Sequence, residues 1–373
     1  MKIGVLKPND SRDLRSLIHP ETIGKLSDLE GLNISFEHGV GAGMSISDEV
    51  FVALRAHPQT RLEIIQQSDF IFIQDVLSND ELSSLKSGTT LIGIVSPFAN
   101  KEFIHDCASK KINLVSMEFV PRITRAQKMD VLSSQANLAG YVAVLSASSN
   151  FHSALPMMMT AAGTLKPAKV FIIGVGVAGL QAIATAKRLG AKVEAFDTRP
   201  VVEEQVQSLG AKFVKIDLGD TGQTDQGYAK ELTEEQLAKQ RELQAKVCAR
   251  SDIVITTAQL FGRPAPRLID ENTIEHMMPG SVIFDMAVES GGNVAGSVVD
   301  EVVIKNGVKI MGQSHLPSKV PNHASLALSN NFINLFLEFY DQESQSFKFN
   351  LEDEILDNSM LVYNGEIRNE AFK

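Results

Sequence analysis

Three glycines form the most chemically informative pattern in this sequence. Gly174, Gly176 and Gly179 are spaced as GxGxxG, directly after the apolar run KVFII and before a helix-like segment. Glycine is needed where a backbone turns tightly, approaches a pyrophosphate, or brings a helix close to a strand. The N-terminus of the following helix offers unpaired N–H groups and a partial positive charge to phosphates. The pattern predicts a dinucleotide-binding loop.

An acidic residue stands where such a loop needs one. The next strand-like run, KVEAFD, ends in Asp197. A carboxylate there accepts hydrogen bonds from the adenosine ribose hydroxyls and repels a 2′-phosphate, which favours NAD over NADP. Arg199 lies nearby and can tolerate a phosphate, but we expect Asp197 to dominate.

A second polar group lies in the stretch PRITRAQKMDVLSSQANLAG, residues 121–140. Thr124 and Gln127 have the spacing of a capping box, which predicts a helix that begins near Thr124. Helical periodicity then predicts a buried stripe of Met129, Leu132, Ala136, Ala139 and Ala143. Asp130, Ser133 and Asn137 share the adjacent face. That face is almost uncharged, so two hypotheses remain open: a helix linking domains, or part of a site.

The elements that must position these residues alternate between strand-like and helix-like runs. Such alternation with short links predicts an α/β protein made of two Rossmann-like, doubly wound parallel-sheet domains. We place the first domain at residues 1–133 with a C-terminal segment, 318–373, that returns to it. The second domain covers 134–317. Asn306-Gly307 and Asn364-Gly365, each between strand-like residues, predict hairpin turns.

Two further segments lie inside the second domain. Residues 218–244 begin with a run rich in Gly, Asp, Thr and Gln, so we predict a mobile loop at about 218–232 followed by a charged helix. Met157, Met158 and Met159 are interpreted as packing residues of a core or a domain interface.

Composition excludes several classes of function. The net charge of −10 argues against nucleic acid as a partner, and no uncharged run is apolar enough to span a membrane. The two cysteines, Cys107 and Cys248, cannot form a disulfide framework or a CxxC pair. Histidines such as His105, His276 and His315 lack ligand spacing, so no metal site is expected. The N-terminus does not resemble a signal peptide, and we expect a cytoplasmic protein.

Long motifs resemble one family. PRITRAQKMDVLSSQANLAGY, MMMTAAGTLKPAKVFIIGVGVAGLQAIATAKRLGA, QGYAKEL, ITTAQLFGRPAP and MPGSVIFDMAVESGGN are similar to the NAD(H)-binding domain I, in the alpha subunit, of proton-translocating NAD(P) transhydrogenases. The resemblance covers essentially the whole chain and is strongest from about 118 to 295. Weaker similarity extends to alanine dehydrogenases, which share the two-domain architecture.

The resemblance implies site residues, position by position. The family's loop over the nicotinamide ring falls on Arg122, Gln127, Asp130 and Ser133. Its closing mobile loop places a tyrosine at Tyr228 beside Gly227. The adenosine-side contacts fall on these positions: Gly174, Gly176, Val177, Ala178, Gly179, Asp197, Thr198 and Arg199, with Gln240 and Gln259 as further contacts.

The implied function is direct, Re/Si-specific hydride transfer from NADH bound here to NADP bound on a beta subunit. Proton flow through a membrane subunit drives the exchange, so the chain is expected at the cytoplasmic face of the inner (plasma) membrane, as a homodimer held there by its partners. The sequence ends at Lys373 without a membrane segment, which resembles alpha subunits split into a soluble and a membrane portion.

Alanine dehydrogenases differ at the substrate site. They hold pyruvate with a lysine and use a histidine as acid/base, in loops that here read FIQDVLSND and GIVSPFAN; only Arg15 remains of that site. Oxidation of an amine requires proton removal, whereas hydride transfer between nicotinamides does not. Two alternatives stay open, namely an amino-acid dehydrogenase of this type and a non-enzymatic NAD sensor.

Overall fold

The computed structural model describes residues 1–216, 219 and 233–373. Contacts divide the chain into two compact units. Unit 1 contains Met1–Gln135 and Pro317–Lys373, and unit 2 contains Ala136–Leu316. The predicted Tyr228 and Gly227, and the predicted mobile loop apart from residue 219, lie outside the described residues.

Unit 1 is built on a sheet that the described residues form from eight strands. Its elements up to the end of unit 1's first segment are β1 (Lys2–Val5), α1 (Pro20–Ser27), β2 (Asn33–Glu37), α2 (Asp48–Ala53), β3 (Ala56–Gln59), α3 (Arg61–Gln67), β4 (Phe70–Ile73), α4 (Asn79–Ser84), β5 (Thr90–Gly93), α5 (Lys101–Ser109), β6 (Asn113–Ser116) and the start of α6 (Val131–Asn150). Strands β4 and β5 are buried along their whole length, as expected for parallel strands covered on both faces. The order reverses between β1 and β4, the switch point of a doubly wound sheet.

Unit 2 is the second doubly wound sheet. Its elements are β7 (Met158–Thr160), β8 (Gly163–Leu165), β9 (Lys169–Ile173), α7 (Val177–Arg188), β10 (Lys192–Phe196), α8 (Glu203–Ser208), β11 (Lys212–Phe213), α9 (Glu234–Cys248), β12 (Ile253–Thr256), α10 (Glu271–Glu275), β13 (Val282–Asp285), β14 (Val302–Lys305) and β15 (Val308–Met311). Seven strands of the described part follow the order β11-β10-β9-β12-β13-β15-β14. The switch point lies between β9 and β12.

The C-terminal segment returns to unit 1, as predicted. It forms α11 (Pro321–Phe339), β16 (Tyr340–Asp341), β17 (Ser346–Phe347), α12 (Glu354–Ser359), β18 (Met360–Tyr363) and β19 (Glu366–Ile367). Strand β18 pairs antiparallel with β6 and extends the sheet. Both predicted Asn-Gly turns join antiparallel strands, β14 to β15 and β18 to β19, and all four turn residues have positive φ.

Two local features follow from the structure. Within the segment SDEVFVALRAH, α2 ends at Ala53 and Ala56–Gln59 pair with β2, because Arg55 adopts a left-handed φ of 64°. The methionines at 157–159 were predicted to pack in a core or in a domain interface. Because Met157 is 61% exposed and Met159 is 82% exposed, the core is wrong, and the interface stays a prediction. They lie at the start of the hairpin β7–β8.

Among the described residues, no helix is both long and apolar enough to cross a bilayer.

Candidate functional site

The GxGxxG loop of unit 2 depends on each glycine for a different reason. Gly174 has a φ of +98°, which side-chain-bearing residues rarely adopt. A Cβ on Gly179 would lie 2.0 Å from the carbonyl oxygen of Gly174, so helix α7 packs on the loop only without one. No heavy atom lies within 4 Å of a Cβ built on Gly176, which leaves open space at the helix N-terminus. The loop therefore fits a pyrophosphate.

Two residues that sequence analysis missed support this loop. Thr257 donates a hydrogen bond from its hydroxyl to the Gly174 carbonyl at 3.0 Å. A Cβ on Gly140, in helix α6, would lie 2.2 Å from the carbonyl oxygen of Ala178. Gly140 thus permits close packing against the loop. A glycine inside the helical pattern QANLAGYVA was the available indication of close backbone approach.

Asp197 lies at the carboxyl end of β10 and is 9% exposed. Its Oδ2 accepts the Val175 N–H at 2.7 Å, which fixes the carboxylate to the glycine loop. Arg199 donates to Oδ1 from Nε at 2.8 Å and to Oδ2 from Nη2 at 2.7 Å. The hydrogen bond to Asp197 raises the pKa of the Arg199 guanidinium above its ordinary value. The structure thus brings the loop, Asp197 and Arg199 together, with Thr198 between the last two.

The two predicted glutamine contacts differ in burial. Gln259 is exposed and donates from Nε2 to the Met286 carbonyl at 3.2 Å. Gln240 lies on α9 and is only 4% exposed, and its buried Oε1 has no hydrogen-bond partner. A buried amide oxygen without a partner is costly. Gln240 lies two turns before the buried Val247 and so on the same face of α9.

In unit 1, the four residues predicted to contact the nicotinamide lie in and around the 3₁₀ helix Thr124–Met129. Arg122 precedes this helix, Gln127 lies in it, Asp130 follows it, and Ser133 lies in the first turn of α6. Ser133 donates to the Asp130 carboxylate twice, from its backbone N–H at 2.9 Å and from its hydroxyl at 2.5 Å. Because Ser133 is the third residue of α6, Asp130 acts as the N-cap of that helix. Arg122 and Gln127 have exposed side chains.

The predicted capping box at Thr124 and Gln127 is wrong. Residues Thr124–Met129 form a 3₁₀ helix with no side-chain cap, and the α-helix begins seven positions later than Thr124, at Val131. Tertiary packing explains the difference, since Ala126 and Met129 are fully buried and the Lys128 carbonyl accepts N–H groups from Asn331 and Asn334 of α11. The predicted apolar stripe is only partly correct. Met129 and Ala143 are buried, whereas Leu132, Ala136 and Ala139 are half-buried.

Ion pairs anchor the same 3₁₀ segment within unit 1. Arg125 contacts Asp353 at 2.6 Å and Glu338 at 3.2 Å, and Lys128 contacts Glu338 at 2.8 Å. The 3₁₀ segment is therefore held through Arg125 and Lys128, and these ion pairs fix the backbone on either side of Gln127.

A third polar cluster lies at the carboxyl ends of β1 and β4 in unit 1. Asp13 pairs with Arg15 at 2.6 Å and accepts hydrogen bonds from Gln74 and Ser318, each at 2.6 Å. Burial opposes ionisation of Asp13, but the hydrogen bonds and charge of Arg15 together with Ser318 leave its pKa below the ordinary value. The carboxylate of Asp13 thus neutralises the charge of Arg15. Within the described residues, no group of three or more His, Cys, Asp or Glu is arranged to hold a metal ion.

Comparisons with known proteins agree on one family. Residues 4–139 match the family model described as alanine dehydrogenase/PNT, N-terminal domain, and residues 143–370 match the corresponding C-terminal domain. The first portion of NAD(P) transhydrogenase subunit alpha from Rhodospirillum rubrum is 43% identical over 375 residues, covering 98% of this chain and 97% of that protein.

Solved structures agree as well. A transhydrogenase crystal structure from Sinorhizobium meliloti has a TM-score of 0.87 at 40% identity, covering 98% of this chain and 100% of the other. An L-alanine dehydrogenase structure has a TM-score of 0.81 at 21% identity, covering 100% of this chain and 98% of the other, and this supports the fold alone.

Proposed function

Because the chain belongs to the alanine dehydrogenase/PNT family, we propose that it is the NAD(H)-binding component of a proton-translocating NAD(P) transhydrogenase. NADH bound to this chain passes hydride directly to NADP bound on a beta subunit. The glycine loop and Asp197 hold the adenosine and pyrophosphate parts of the dinucleotide.

The observation that carries this proposal is the neutralised Arg15 of unit 1. Its guanidinium forms an ion pair with Asp13 and donates to Gln135 at 3.1 Å, so its donors already have partners inside the chain. The loops after β4 and β5 contain no lysine or histidine to act as acid/base. Amine oxidation needs such a group, whereas transfer between two nicotinamides needs alignment and exclusion of water. The chemistry of unit 1 favours the second reaction.

The residues of the 3₁₀ segment and α6 act by positioning. Asp130 and Ser133 are joined by two hydrogen bonds, so they present a fixed pair of polar groups to a carboxamide. Arg122 contributes a cationic donor to the same nicotinamide end. The exposed Gln127 faces the nucleotide of the partner subunit, and Tyr228, in the loop beside Gly227, closes on the bound nucleotide.

We further propose that the partners are a second copy of the chain, the beta subunit and a membrane subunit that holds the protein at the cytoplasmic face. The support for a second copy is in unit 2. The hairpin β7–β8 exposes Met157, Met159 and the half-exposed Leu165. An apolar cavity of about 560 Å³ beside it is lined by Leu145, Leu155, Pro156, Leu189 and neighbouring residues. An exposed apolar hairpin and an apolar cavity on one unit suit a two-fold, self-complementary interface.

Two assays separate this function from its alternatives. Pyruvate with ammonia should cause no oxidation of NADH, because the acid/base group is missing. Mixing with an NADP(H)-binding beta subunit should produce hydride transfer. Turnover in the first assay supports an amino-acid dehydrogenase, and NADH binding without turnover in either assay supports a sensor.

A further inference from the structure

Asp285, at the carboxyl end of strand β13, is a fully buried carboxylate whose hydrogen-bond partners are backbone N–H groups and hydroxyls. Its Oδ1 accepts the Ala287 N–H at 2.9 Å, and its Oδ2 accepts the Val294 N–H at 3.1 Å and the Ser297 hydroxyl at 2.7 Å. These bonds tie both ends of the loop after β13, residues 286–297, to the end of the strand. A carboxylate accepts on both oxygens, whereas an amide of the same shape has one acceptor and one donor. The loop therefore requires a carboxylate at this position.

Asn293 joins the loop after β13 to the loop that follows the neighbouring strand β12. Its Nδ2 donates to the Ala258 carbonyl at 2.9 Å and to the Pro266 carbonyl at 2.8 Å. Its own carbonyl accepts the Leu268 N–H at 2.8 Å. One fully buried residue thus holds both ends of the loop after β12.

Both loops lie at the carboxyl edge of the sheet of unit 2, because β12 and β13 are parallel to β9. A dinucleotide binds in the crevice at the switch point, here between β9 and β12, with one mononucleotide on each side. In the proposed complex Asp197, at the end of β10, takes the adenosine ribose, so the nicotinamide nucleotide falls on the side of β12 and β13. Thr257, the residue after β12, supports this position, since its hydroxyl donates to the Gly174 carbonyl at 3.0 Å.

We propose that Asp285 and Asn293 are positioning residues for the nicotinamide half of the dinucleotide. Asp285 fixes the loop after β13, and Asn293 fixes the loop after β12 against it. Both side chains are fully buried, so they act through the loops and not on the nucleotide itself. These roles rest on the proposed binding of NAD(H) to unit 2. Direct hydride transfer depends on ring alignment, and a misplacement of about 1 Å can slow a reaction about 100-fold.

The test uses the full chain and two ligands, NADH and ADP-ribose. ADP-ribose contains the adenosine, the pyrophosphate and the second ribose but lacks the nicotinamide ring. Calorimetric titration measures both affinities, and their ratio isolates what the ring contributes to binding. Wild-type protein should bind NADH at least about tenfold more tightly than ADP-ribose, which corresponds to about 1.4 kcal/mol.

Asp285→Asn should bring that ratio toward one while the affinity for ADP-ribose stays within about twofold of wild type. The reason is that the amide turns an N–H toward the N–H of either Ala287 or Val294, which releases one end of the loop after β13. Ser297→Ala is a milder variant that removes one donor to the carboxylate, and it should lower the ratio about threefold. Asn293→Ala removes both donors to the loop after β12 and should lower the ratio in the same way.

The matched control is Asp252→Asn. Asp252 precedes β12 at the opposite, amino edge of the sheet, where its Oδ2 accepts the Lys169 N–H at 2.7 Å. The same change of a carboxylate to an amide is thus made away from the site. Its ratio of affinities should match the wild type even where its thermal midpoint falls.

An unchanged ratio in Asp285→Asn, Ser297→Ala and Asn293→Ala, with both ligands still bound, overturns the positioning role and leaves the proposed function intact. A parallel loss of affinity for NADH and ADP-ribose assigns these residues a structural role and also overturns it. If Asp285→Asn does not fold, the ratio in Ser297→Ala decides for Asp285. Absence of binding of both ligands to the wild type contradicts both the positioning role and the proposed function.

Discussion

Arg199 donates two hydrogen bonds to the Asp197 carboxylate, from Nε to Oδ1 at 2.8 Å and from Nη2 to Oδ2 at 2.7 Å. The same carboxylate accepts the Val175 N–H of the glycine loop. Asp197 is therefore oriented by the protein itself, and its charge is partly balanced by the half-buried guanidinium of Arg199. We therefore expect the selection of NAD over NADP to depend on both residues.

Asp197→Ala should weaken NADH binding by about 10- to 100-fold, since hydrogen bonds to charged groups contribute about 1.5–3 kcal/mol. The variant leaves Arg199 without its carboxylate partner, so the preference for NADH over NADPH should fall as well. Titration of both reduced nucleotides measures this. A uniform loss for both nucleotides would show that Asp197 supports the loop without selecting the cofactor.

Gly176 and Gly179 allow loop packing and phosphate access to be separated. Gly176→Ala should keep the thermal midpoint within about 2 °C of wild type, because its Cβ meets open space, yet lower NADH affinity more than tenfold by occupying the phosphate position. Gly179→Ala should lower both the thermal midpoint and the NADH affinity, because its Cβ would clash with the Gly174 carbonyl. Normal NADH affinity in Gly176→Ala would show that phosphates do not approach this residue.

Substitution of Gln127 should affect only hydride transfer, whereas substitution of Asp130 should affect both hydride transfer and the stability of the protein. Since Gln127 is not a cap, Gln127→Ala should change the free energy of unfolding by less than about 0.5 kcal/mol while slowing hydride transfer. Asp130→Ala removes the N-cap of α6 and should cost about 1 kcal/mol in addition to slower transfer. Chemical denaturation and single-turnover kinetics measure the two effects. A wild-type rate of hydride transfer in Gln127→Ala would show that Gln127 does not face the nucleotide of the partner subunit.

The Asp13–Arg15 pair predicts a specific pH dependence. The pKa of Asp13 is lower in the folded chain than its ordinary value, so its contribution to stability is present above the unfolded pKa and is lost as pH falls through the folded pKa. Asp13→Asn leaves the half-buried guanidinium of Arg15 without its carboxylate and should destabilise the protein at pH 7 by about 3 kcal/mol. The destabilisation should shrink below about pH 4.

The matched control for this pair is Asp10→Asn, which breaks the exposed pair with Arg12 and should cost less than about 1 kcal/mol. Urea unfolding at pH 7 and at about pH 2, which is below the ordinary pKa of an aspartate, measures both variants. Equal losses in Asp13→Asn at the two pH values would contradict the ionised state assigned to Asp13.

Strand alternation and turn chemistry were sufficient to predict the two doubly wound sheets. Positive φ at Asn306, Gly307, Asn364 and Gly365 is a local requirement, which is why the Asn-Gly turns could be located from sequence. Part of the GxGxxG loop is equally local, because Gly174 needs a positive φ and a Cβ on Gly179 would meet the Gly174 carbonyl five residues earlier.

Other features depend on contacts between distant parts of the chain. The 3₁₀ form of Thr124–Met129 is set by α11, about two hundred residues away, whose Asn331 and Asn334 bind the Lys128 carbonyl. Local spacing at Thr124 and Gln127 could not reveal this. The bracing of Gly174 by Thr257 and the packing of Gly140 on Ala178 likewise join residues from separate elements.

We propose that this chain supplies NAD(H) for direct hydride exchange with NADP(H) on another subunit. The most direct measurement mixes the purified chain with an NADP(H)-binding beta subunit and follows reduction of acetylpyridine adenine dinucleotide by NADPH. We predict reduction that requires both proteins and is slowed by Gln127→Ala. Absence of reduction, with both nucleotides shown to be bound to their subunits, would contradict the assignment.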